Sequence, residues 1–400
     1  MLANKLGKRT MPIARRDLIA VTTGTLAAPM ISRSARAAEK EIAIGVSIPL
    51  TGPGAATGIT TQRTLEHGVE VLNAQGIKAG DDSYKLKITF YDNKYVPAEA
   101  VTIVEKLLAD GTRFLISLGS GNSVPVVAKT TAVKCLQMSY ASGKAHLTAP
   151  EFPLSFRVAP TNETAWAVYP WLRKIYPDVK NVGHMNPSDE AGFTESEDRR
   201  MIAGKNGFTN TVNEFFKRGS ADFYPVATRL AAANPDLIDF GGSIGRDQSL
   251  GCKALRELGY KGMIMLGYSD VKSFVEVATP AAAEGTLLFD TLVDPQNAAQ
   301  TELRDWWVKK YGPPFPTFAY SVWDTPFILA EGIRKAKSAD PEKIAAAMVG
   351  MKWDGLYGPT AFGMKSVYGI DSTITRRIPM AQIKDGKPVQ IAVIDWPADV

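Results

Sequence analysis

Short strands alternate with amphipathic helices along most of this chain, and this alternation restricts the fold more than any single motif does. In the segment 57–74, for example, Leu65, Val69 and Leu72 are spaced three and four residues apart, as in a helix with one buried face. Such a strand-helix-strand order predicts a parallel sheet covered by helices on both faces. The first predicted unit contains strands 41–47, 85–91, 113–118 and 136–139, and helices 57–74, 98–109 and a third after Ser123.

The same alternation begins again after residue 160 and predicts a second doubly wound unit. Beyond Gly285 the pattern is mixed, and it closes with two strands that meet at a turn, Asp385 and Gly386. The chain is therefore expected to be an α/β protein with two Rossmann-like units. The later predicted strands are 179–185, 208–215, 237–240, 262–266, 286–290, 376–383 and 389–394, and the later helices are 221–233, 248–258, 302–311, 320–335 and 341–349.

The first 37 residues have the layout of an export signal. They contain seven basic residues and a single acid, Asp17, and a weakly apolar run over 18–31 follows Arg15 and Arg16. The small residues Ala35 and Ala37, on either side of Arg36, would allow cleavage near Ala37. This layout predicts a signal peptide over residues 1–37 and a periplasmic mature protein, and the arginine pair favours the twin-arginine route. A transmembrane anchor is disfavoured because the apolar run is shorter than the ~20 residues of a membrane span.

The basic character of the whole chain belongs largely to this N-terminal segment. The 400 residues carry 46 Lys and Arg against 41 Asp and Glu, but residues 38–400 carry 39 against 40. A nearly neutral surface gives no electrostatic reason to expect nucleic acid or an anionic membrane as a partner. The remaining length exceeds what one hydrophobic core usually supports, so two domains are expected.

Two cysteines and three histidines leave little scope for a metal site. Cys135 and Cys252 lie far apart, one in each predicted unit, which favours two buried free thiols over a disulfide. There is no Cys-x-x-Cys pair and no spacing typical of a structural zinc site. No metal and no cofactor are therefore expected.

The turn 241–245 has the pattern Gly-x-Ser-x-Gly between a strand and a helix, which is the context of a hydrolase nucleophile. In that fold the histidine follows the serine in the chain, whereas every histidine here precedes Ser243, the last being His184. A serine without a base is a weak nucleophile. A secreted serine hydrolase is thus the alternative from another class. The favoured interpretations of Ser243 are a structural turn or a ligand contact at the carboxyl end of a strand.

Three further turns follow predicted strands. The turn 119–123 lacks the third glycine and the acid of a dinucleotide site, but small residues before a helix N-terminus favour an anion such as a carboxylate. Ser120 is the candidate ligand residue there, and Ser123 is either a second one or a helix cap. The other two turns are 139–143 and 266–270, and Asp270 would meet a ligand cation or cap the next helix.

These segments, in this order, resemble the branched-chain amino-acid type of periplasmic binding proteins, also called type I, whose archetype is the leucine/isoleucine/valine-binding protein. The most specific match is 44–53, followed by Gly58 and a helix that ends at 72–76. The resemblance extends from about Ile42 to Val393 and depends on the collinear order of its parts. Further matches are 91–93, 97–101, Ser120 with Gly121, 156–161, 221–223, 234–236 and 283–285.

The resemblance implies two lobes that are joined by three crossings of the chain, near Thr161, near Asp290 and near Gly369. Lobe 1 would comprise residues 38–160 and 291–368, and lobe 2 residues 161–290 and 369–400. The implied function is that of a monomeric, non-enzymatic receptor that binds a small molecule in the cleft, closes by hinge bending and passes the solute to the permease of an ABC importer. The alternative with the same fold is a ligand sensor that signals to a membrane receptor without transport.

The resemblance also implies roles for individual residues. Ser120 takes the place of the serine that binds the ligand carboxylate, and Asp270 or the adjacent Ser269 takes the place of the acid that binds the ligand ammonium group. The candidate ligand-binding residues are Thr57, Ser120, Ser123, Ala141, Ser142, Gly143, Ala191, Ser243, Tyr268, Ser269 and Asp270.

Three of these positions depart from the pattern of the family. Thr57 and Ala191 stand where tyrosines are common, and Gly143 stands where a threonine is usual. These losses argue against leucine, isoleucine and valine as ligands and imply a wider cleft. Such a cleft would suit an aromatic acid or another small organic acid, and an amide or a urea-like solute is the alternative ligand.

Overall fold

A computed structural model describes residues 40–52, 54–143, 147–267 and 271–398, and within them the strands form two separate sheets. The predicted signal peptide over residues 1–37 lies outside these described residues. Each sheet is covered by helices and forms one lobe, so the predicted fold, two doubly wound α/β lobes, is confirmed. Within the described residues no helix is both long and apolar enough to cross a bilayer.

The secondary structure follows the predicted alternation, with additional short strands. The strands are β1 (Lys40–Ile48), β2 (Ile77–Ala79), β3 (Asp82–Asp92), β4 (Phe114–Leu118), β5 (Leu136–Tyr140), β6 (Ser155–Arg157), β7 (Asn181–Pro187), β8 (Thr209–Phe216), β9 (Leu237–Asp239), β10 (Met263–Gly267), β11 (Leu287–Phe289), β12 (Lys352–Gly355), β13 (Gly358–Gly363), β14 (Thr373–Thr375), β15 (Ile378–Lys384) and β16 (Lys387–Ile394). The helices are α1 (Ala55–Gln75), α2 (Pro97–Ala109), α3 (Ser120–Ala132), α4 (Thr164–Ile175), α5 (Glu190–Lys205), α6 (Tyr224–Ala232), α7 (Arg246–Glu257), α8 (Val271–Ala278), α9 (Pro280–Ala283), α10 (Ala298–Tyr311), α11 (Phe318–Ala336), α12 (Pro341–Met348) and α13 (Lys365–Tyr368).

The first sheet has the strand order β12-β13-β14-β6-β5-β4-β1-β3-β2. Its central strands, from β3 through β1, β4 and β5 to β6, pair in parallel. Every residue of β4 and β5 is buried, as expected for parallel strands with helices on both faces. On α1, Leu65, Val69 and Leu72 are buried against this sheet, which confirms the helical face predicted from their spacing.

The second sheet has the order β16-β15-β11-β10-β9-β7-β8. Strands β8, β7, β9, β10 and β11 are parallel, and β15 and β16 add an antiparallel edge. In both sheets the order of the parallel strands reverses once, between β1 and β4 and between β7 and β9. Loops at the carboxyl ends of strands diverge at such a reversal and leave a crevice for a ligand.

The chain passes between the sheets three times: between β6 and α4, between β11 and α10, and between β14 and β15. The third passage lies after Thr375 and not near Gly369, because β14 pairs with β6 and β13 of the first sheet. The last two passages are tied together by a buried ion pair. Arg376 donates to both carboxylate oxygens of Asp290 at 2.6 and 2.9 Å.

Both cysteines are free thiols, Cys135 in the first lobe and Cys252 in the second, and both are buried. The predicted pair of buried free thiols is therefore confirmed. Burial raises the pKa of Cys135 to about 12 and that of Cys252 to about 11. Neither group carries the thiolate character that nucleophilic or metal-binding cysteines need at neutral pH.

Candidate functional site

A cavity with about 700 Å³ of empty space, part of it open to solvent, lies between the two lobes. Its wall is formed where β4, β5, β7 and β9 end, which are strands at or beside the two reversals of strand order. The topology therefore brings turns that are distant in sequence to one place. The lining residues are Thr57, Tyr95, Leu118, Gly119, Ser120, Tyr140, Ala141, Ser142, Ala159, Thr161 and Phe318 from the first lobe and its crossing, and Ala191, Glu195, Gly241, Gly242, Ser243 and Ile244 from the second.

Ser120 is the first residue of α3, directly after the end of β4. Its side chain is 1 % exposed and its hydroxyl has no hydrogen-bond partner within the described structure. The turn requires glycine at position 119, because the φ angle there is 94° and because a Cβ would lie only 3.1 Å from the ring of Tyr95. A buried hydroxyl without a partner, at a helix N-terminus in a cavity wall, is suited to an anionic ligand.

Ser123 does not line the cavity. Its hydroxyl lies 2.8 Å from that of Ser117, and its carbonyl accepts a hydrogen bond from the Gln137 amide at 3.2 Å. Helix α3 begins at Gly119 and Ser120, so Ser123 lies within its first turn and is not its N-cap residue. Its observed contacts are those of a residue that joins α3 to β4 and β5.

The turn after β5 contributes two of its three candidate residues to the cavity wall. Ala141 and Ser142 line it, and the carbonyl of Ala141 accepts a hydrogen bond from the Thr161 hydroxyl at 3.2 Å. Gly143 is not part of the wall; it packs closely against Leu147, where a Cβ at position 143 would lie 2.9 Å from the leucine side chain. Thr57, near the start of α1, also lines the cavity.

On the second lobe, Ala191 and Ser243 line the cavity. The hydroxyl of Ser243 donates to the Met185 carbonyl at 3.2 Å, and its side chain is 1 % exposed. The described histidines are engaged elsewhere: Nε2 of His184 lies 2.7 Å from Asn210, and the ring of His67 stacks on a tryptophan of the first lobe. Among the described residues, Ser243 thus has the contacts of a turn residue and no histidine bonded to its hydroxyl, as an activated nucleophile would need.

Tyr268, Ser269 and Asp270, the three candidates from the turn after β10, lie outside the described residues. Their proposed part in binding stays a prediction.

Glu195 was missed by the sequence analysis, although it lines the cavity from the second turn of α5. Oε1 of Glu195 accepts a hydrogen bond from the hydroxyl of Ser142, across the cleft, at 2.6 Å. The side chain fits against the turn after β9 because Gly242 has no Cβ, which would lie 3.0 Å from Cγ of Glu195. Burial raises the pKa of Glu195 to about 7, against the opposing effect of Arg199.

Arg199 lies behind Glu195, one helical turn further along α5, and is fully buried. Its Nε donates to Oδ2 of Asp239 at 2.7 Å, while its Nη1 donates to the Thr164 hydroxyl at 3.1 Å and lies 3.7 Å from Oε2 of Glu195. Oδ2 of Asp239 also accepts from the Tyr169 hydroxyl at 2.6 Å. One cation is thus shared by two buried carboxylates, and the arginine fixes the position of both.

A second contact bridges the lobes at Tyr95, which lines the cavity. The guanidinium of Arg218 lies 5.4 Å from the centre of the Tyr95 ring. Arg218 is held from behind by Asp189, which accepts from its Nε at 2.7 Å, and by the Gly242 carbonyl at 3.3 Å. Together with the bond from Ser142 to Glu195, this contact connects the two walls of the cavity.

One signal in the sequence could have led to Glu195. Residues four apart lie on the same face of a helix, so Ala191, Glu195 and Arg199 form one stripe along α5. Because Ala191 was already a candidate cavity residue, the next position of that stripe was a candidate as well.

Comparison with known proteins agrees with this architecture. The profile of the family described as "Periplasmic binding protein" matches residues 41–388. The Leu/Ile/Val-binding protein BraC3 of Rhizobium johnstonii is 26% identical over 361 residues, which are 89% of this chain and 95% of that protein. The leucine-binding protein LivK of Thermotoga maritima superimposes with a TM-score of 0.76 at 18% identity, over 90% of this chain and 100% of the other.

A further similar structure has a different kind of ligand. It is a solute-binding protein of an ABC transporter from Rhodopseudomonas palustris, solved in complex with 3,4-dihydroxybenzoic acid, with a TM-score of 0.74 and 18% identity over 90% of this chain and 99% of the other. With the profile match over most of its length, this chain belongs to the type I periplasmic binding protein family, whose members include the Leu/Ile/Val-binding proteins.

Proposed function

We propose that this protein is the periplasmic solute receptor of an ABC importer and that it binds a small carboxylate in the cavity between its lobes. The observation that carries the proposal is the hydroxyl of Ser120, which is buried in the cavity wall at the N-terminus of α3 and has no partner among the described residues. The first N–H groups of a helix have no acceptor within the helix, and its dipole favours negative charge at that end. A carboxylate would supply the missing acceptor for these groups.

The class of acid is narrowed by the rest of the wall. Tyr95, Tyr140 and Phe318 line the cavity from the first lobe, while Ala191 and Thr57 leave space where the family commonly has tyrosines. Aromatic side chains and small residues together suit a flat or branched apolar body. An amino acid or an aromatic acid fits this description, and both kinds of solute are named for similar proteins.

The proposal includes export to the periplasm by way of the N-terminal segment and closure of the lobes around the ligand. Two contacts support closure, because Ser142 with Glu195 and Tyr95 with Arg218 can form only while the lobes are together. A ligand that binds between the lobes would favour this closed arrangement over an open one. A receptor role fits the contacts of Ser243 better than hydrolysis does, since its hydroxyl is bound to a backbone carbonyl.

Substitution of Ser120 by alanine tests the proposal. In a closed and dry cleft, a hydrogen bond from Ser120 to a carboxylate contributes roughly 1.5–3 kcal/mol. The Kd for a carboxylate found by a thermal-shift screen of amino acids, aromatic acids and amides should therefore rise roughly 10- to 100-fold in titration calorimetry. The free energy of unfolding of the unliganded protein should change little.

Ser123→Ala is the matched control, because Ser123 lies on the same helix but away from the cavity. It should reduce the stability of the unliganded protein, by roughly 0.5–1.5 kcal/mol for the lost hydrogen bond, and leave affinity nearly unchanged. An unchanged Kd in Ser120→Ala would show that the carboxylate is bound elsewhere. A wild-type protein that binds amides but none of the acids would overturn the proposed ligand class.

A further inference from the structure

We propose that Glu195 is a specificity-determining residue, which selects acids that carry a hydrogen-bond donor, a hydroxyl or an ammonium group, on the part that faces the second lobe. The inference rests on the proposed function, because it concerns the same cavity. It adds the requirement that the ligand carry a hydrogen-bond donor toward the second lobe. The acid expected on that lobe from the sequence was Asp270, in the turn 266–270.

The geometry of the carboxylate carries this inference. The side chain of Glu195 is buried, with the residue 3% exposed, and it forms part of the cavity wall. Its two oxygens differ: Oε1 accepts the hydrogen bond from Ser142, whereas Oε2 has no hydrogen-bond donor within the described structure. A buried carboxylate oxygen without a donor is costly, and a ligand that supplies one removes that cost.

Arg199 does not satisfy this oxygen. Its Nη1 lies 3.7 Å from Oε2 of Glu195, which is beyond hydrogen-bond distance, and that nitrogen donates to Thr164 instead. The guanidinium is committed further to Asp239 through Nε at 2.7 Å. The arginine therefore offsets part of the charge of Glu195 and fixes its position, but it leaves Oε2 without a hydrogen-bond donor among the described residues of this cavity wall.

The surroundings of Glu195 favour a donor over an apolar group. Besides Arg199 on its own helix, the charged groups that act on it include Glu163, which precedes α4, and Asp239 on β9. Glu163 is itself paired with the buried Arg157, and Asp239 with Arg199, so ionisation of Glu195 adds a negative charge in excess of these pairs. An apolar end of a ligand would bury Oε2 without a partner, as happens in enzymes that reject substrates lacking an expected hydroxyl.

The test compares ligands that differ in one donor group. The probes are 4-hydroxybenzoate against benzoate, which isolates a hydroxyl, and leucine against 4-methylpentanoate, which isolates an ammonium group. In the wild type, the member with the donor should bind at least about 10-fold more tightly in one of the pairs, by titration calorimetry. In Glu195→Met this ratio should fall to near one.

Glu195→Gln separates the two donors and provides a second variant of nearly the same shape. Its amide oxygen still accepts from a hydroxyl, so a preference for 4-hydroxybenzoate should persist in part, whereas a preference for leucine should be lost with the charge. In the wild type, leucine binding should also strengthen between pH 5 and pH 8, because an ammonium group favours the ionised carboxyl.

Glu197→Met is the control, because Glu197 is exposed on the same helix and does not line the cavity. It should leave both ratios unchanged. Equal affinities within both pairs in the wild type, or an unchanged ratio in Glu195→Met and Glu195→Gln, would overturn the role of Glu195. A wild-type protein that binds none of the four acids would instead contradict the proposed function, as would an affinity for all of them that is indifferent to Ser120→Ala.

Discussion

The two walls of the cavity are built from different chemistry. The first lobe presents neutral groups, namely the hydroxyls of Ser120 and Ser142 and aromatic rings, on turns at the ends of β4 and β5. The second lobe presents a carboxylate, Glu195, with Arg199 and Asp239 behind it. The neutral wall needs a helix N-terminus to attract an anion, whereas the charged wall depends on an ion network that must itself be stabilised.

This difference explains why the two walls should respond differently to substitution. A hydroxyl on the first wall can be removed without leaving a charge behind, so its loss should be seen in binding. A charged side chain of the second wall cannot be removed without leaving unpaired charge, because loss of the cation leaves two carboxylates in a buried site. The second wall should therefore couple ligand recognition to the stability of its lobe.

The largest effect is expected for Arg199→Met. Arg199 is the cation between Glu195 and Asp239, and all three side chains are buried. Removing one partner of a buried network typically costs about 3–5 kcal/mol. Urea unfolding of the unliganded protein, followed by a probe of the second lobe, should show a loss of this size.

Arg200→Met provides the comparison for this measurement, since Arg200 is the exposed neighbour on the same helix. It should change the unfolding free energy by less than about 0.5 kcal/mol. If Arg199→Met were equally mild, the second wall would not depend on its ions, and the contrast between the walls would fail.

The pH dependence of stability sharpens the same contrast. Burial raises the pKa of Glu195 from an ordinary 4.5 to about 7, so the folded protein retains a proton that the unfolded chain has released. The stabilisation linked to this group is complete below pH 4.5 and is lost as the pH rises through 7. The expected loss is about 3 kcal/mol, at 1.4 kcal/mol for each unit of pKa difference.

Glu195→Gln isolates this contribution, because glutamine stays neutral over the whole range. The difference in unfolding free energy between the wild type and Glu195→Gln should change by about 3 kcal/mol from pH 4.5 to pH 8. Other buried acids cancel in the difference, including Asp324, whose pKa burial raises to about 6. A difference that does not vary with pH would mean that folding does not raise the pKa of Glu195.

The sequence was sufficient for the serine turn of the first wall but did not predict the aromatic lining residues Tyr95, Tyr140 and Phe318. Strand β4 and helix α3 have clear apolar patterns, and the small residues between them restrict the turn, so local sequence is enough to make Ser120 a candidate ligand residue. The strands β12, β13 and β14 were not predicted. They are short, and β12 and β13 meet at a turn with Gly355, Gly358 and Pro359, so they show no run of alternating residues long enough to recognise.

The second wall could not be predicted in the same way. Helix α5 buries Glu195, Asp198 and Arg199 along with apolar residues, so hydrophobic periodicity does not identify its inner face. Charged residues are normally solvent-exposed, and only the tertiary arrangement shows that these three have partners. The third crossing was misplaced for a related reason, because β14 has only three residues and joins the first sheet through pairing that local sequence does not encode.

The smallest effect is expected at the contact between the walls, where Arg218 meets the ring of Tyr95 at 5.4 Å. A cation–π contact at a partly exposed site contributes about 0.5–1 kcal/mol. If the lobes close around the ligand as proposed, this contact exists only in the closed form, so Arg218→Met should lower affinity by roughly two- to five-fold. Small-angle scattering of the liganded variant should show a larger mean radius of gyration, because less of the protein is closed.

Two variants separate the cation–π contact from the other bonds of Arg218. Tyr95→Phe keeps the ring and should bind like the wild type, whereas Tyr95→Leu should match Arg218→Met. If both variants at Tyr95 bound normally while Arg218→Met did not, the arginine would act through its bonds to Asp189 and Gly242, within the second lobe. The walls would then communicate through Ser142 and Glu195 alone, and the charged wall would control closure as well as recognition.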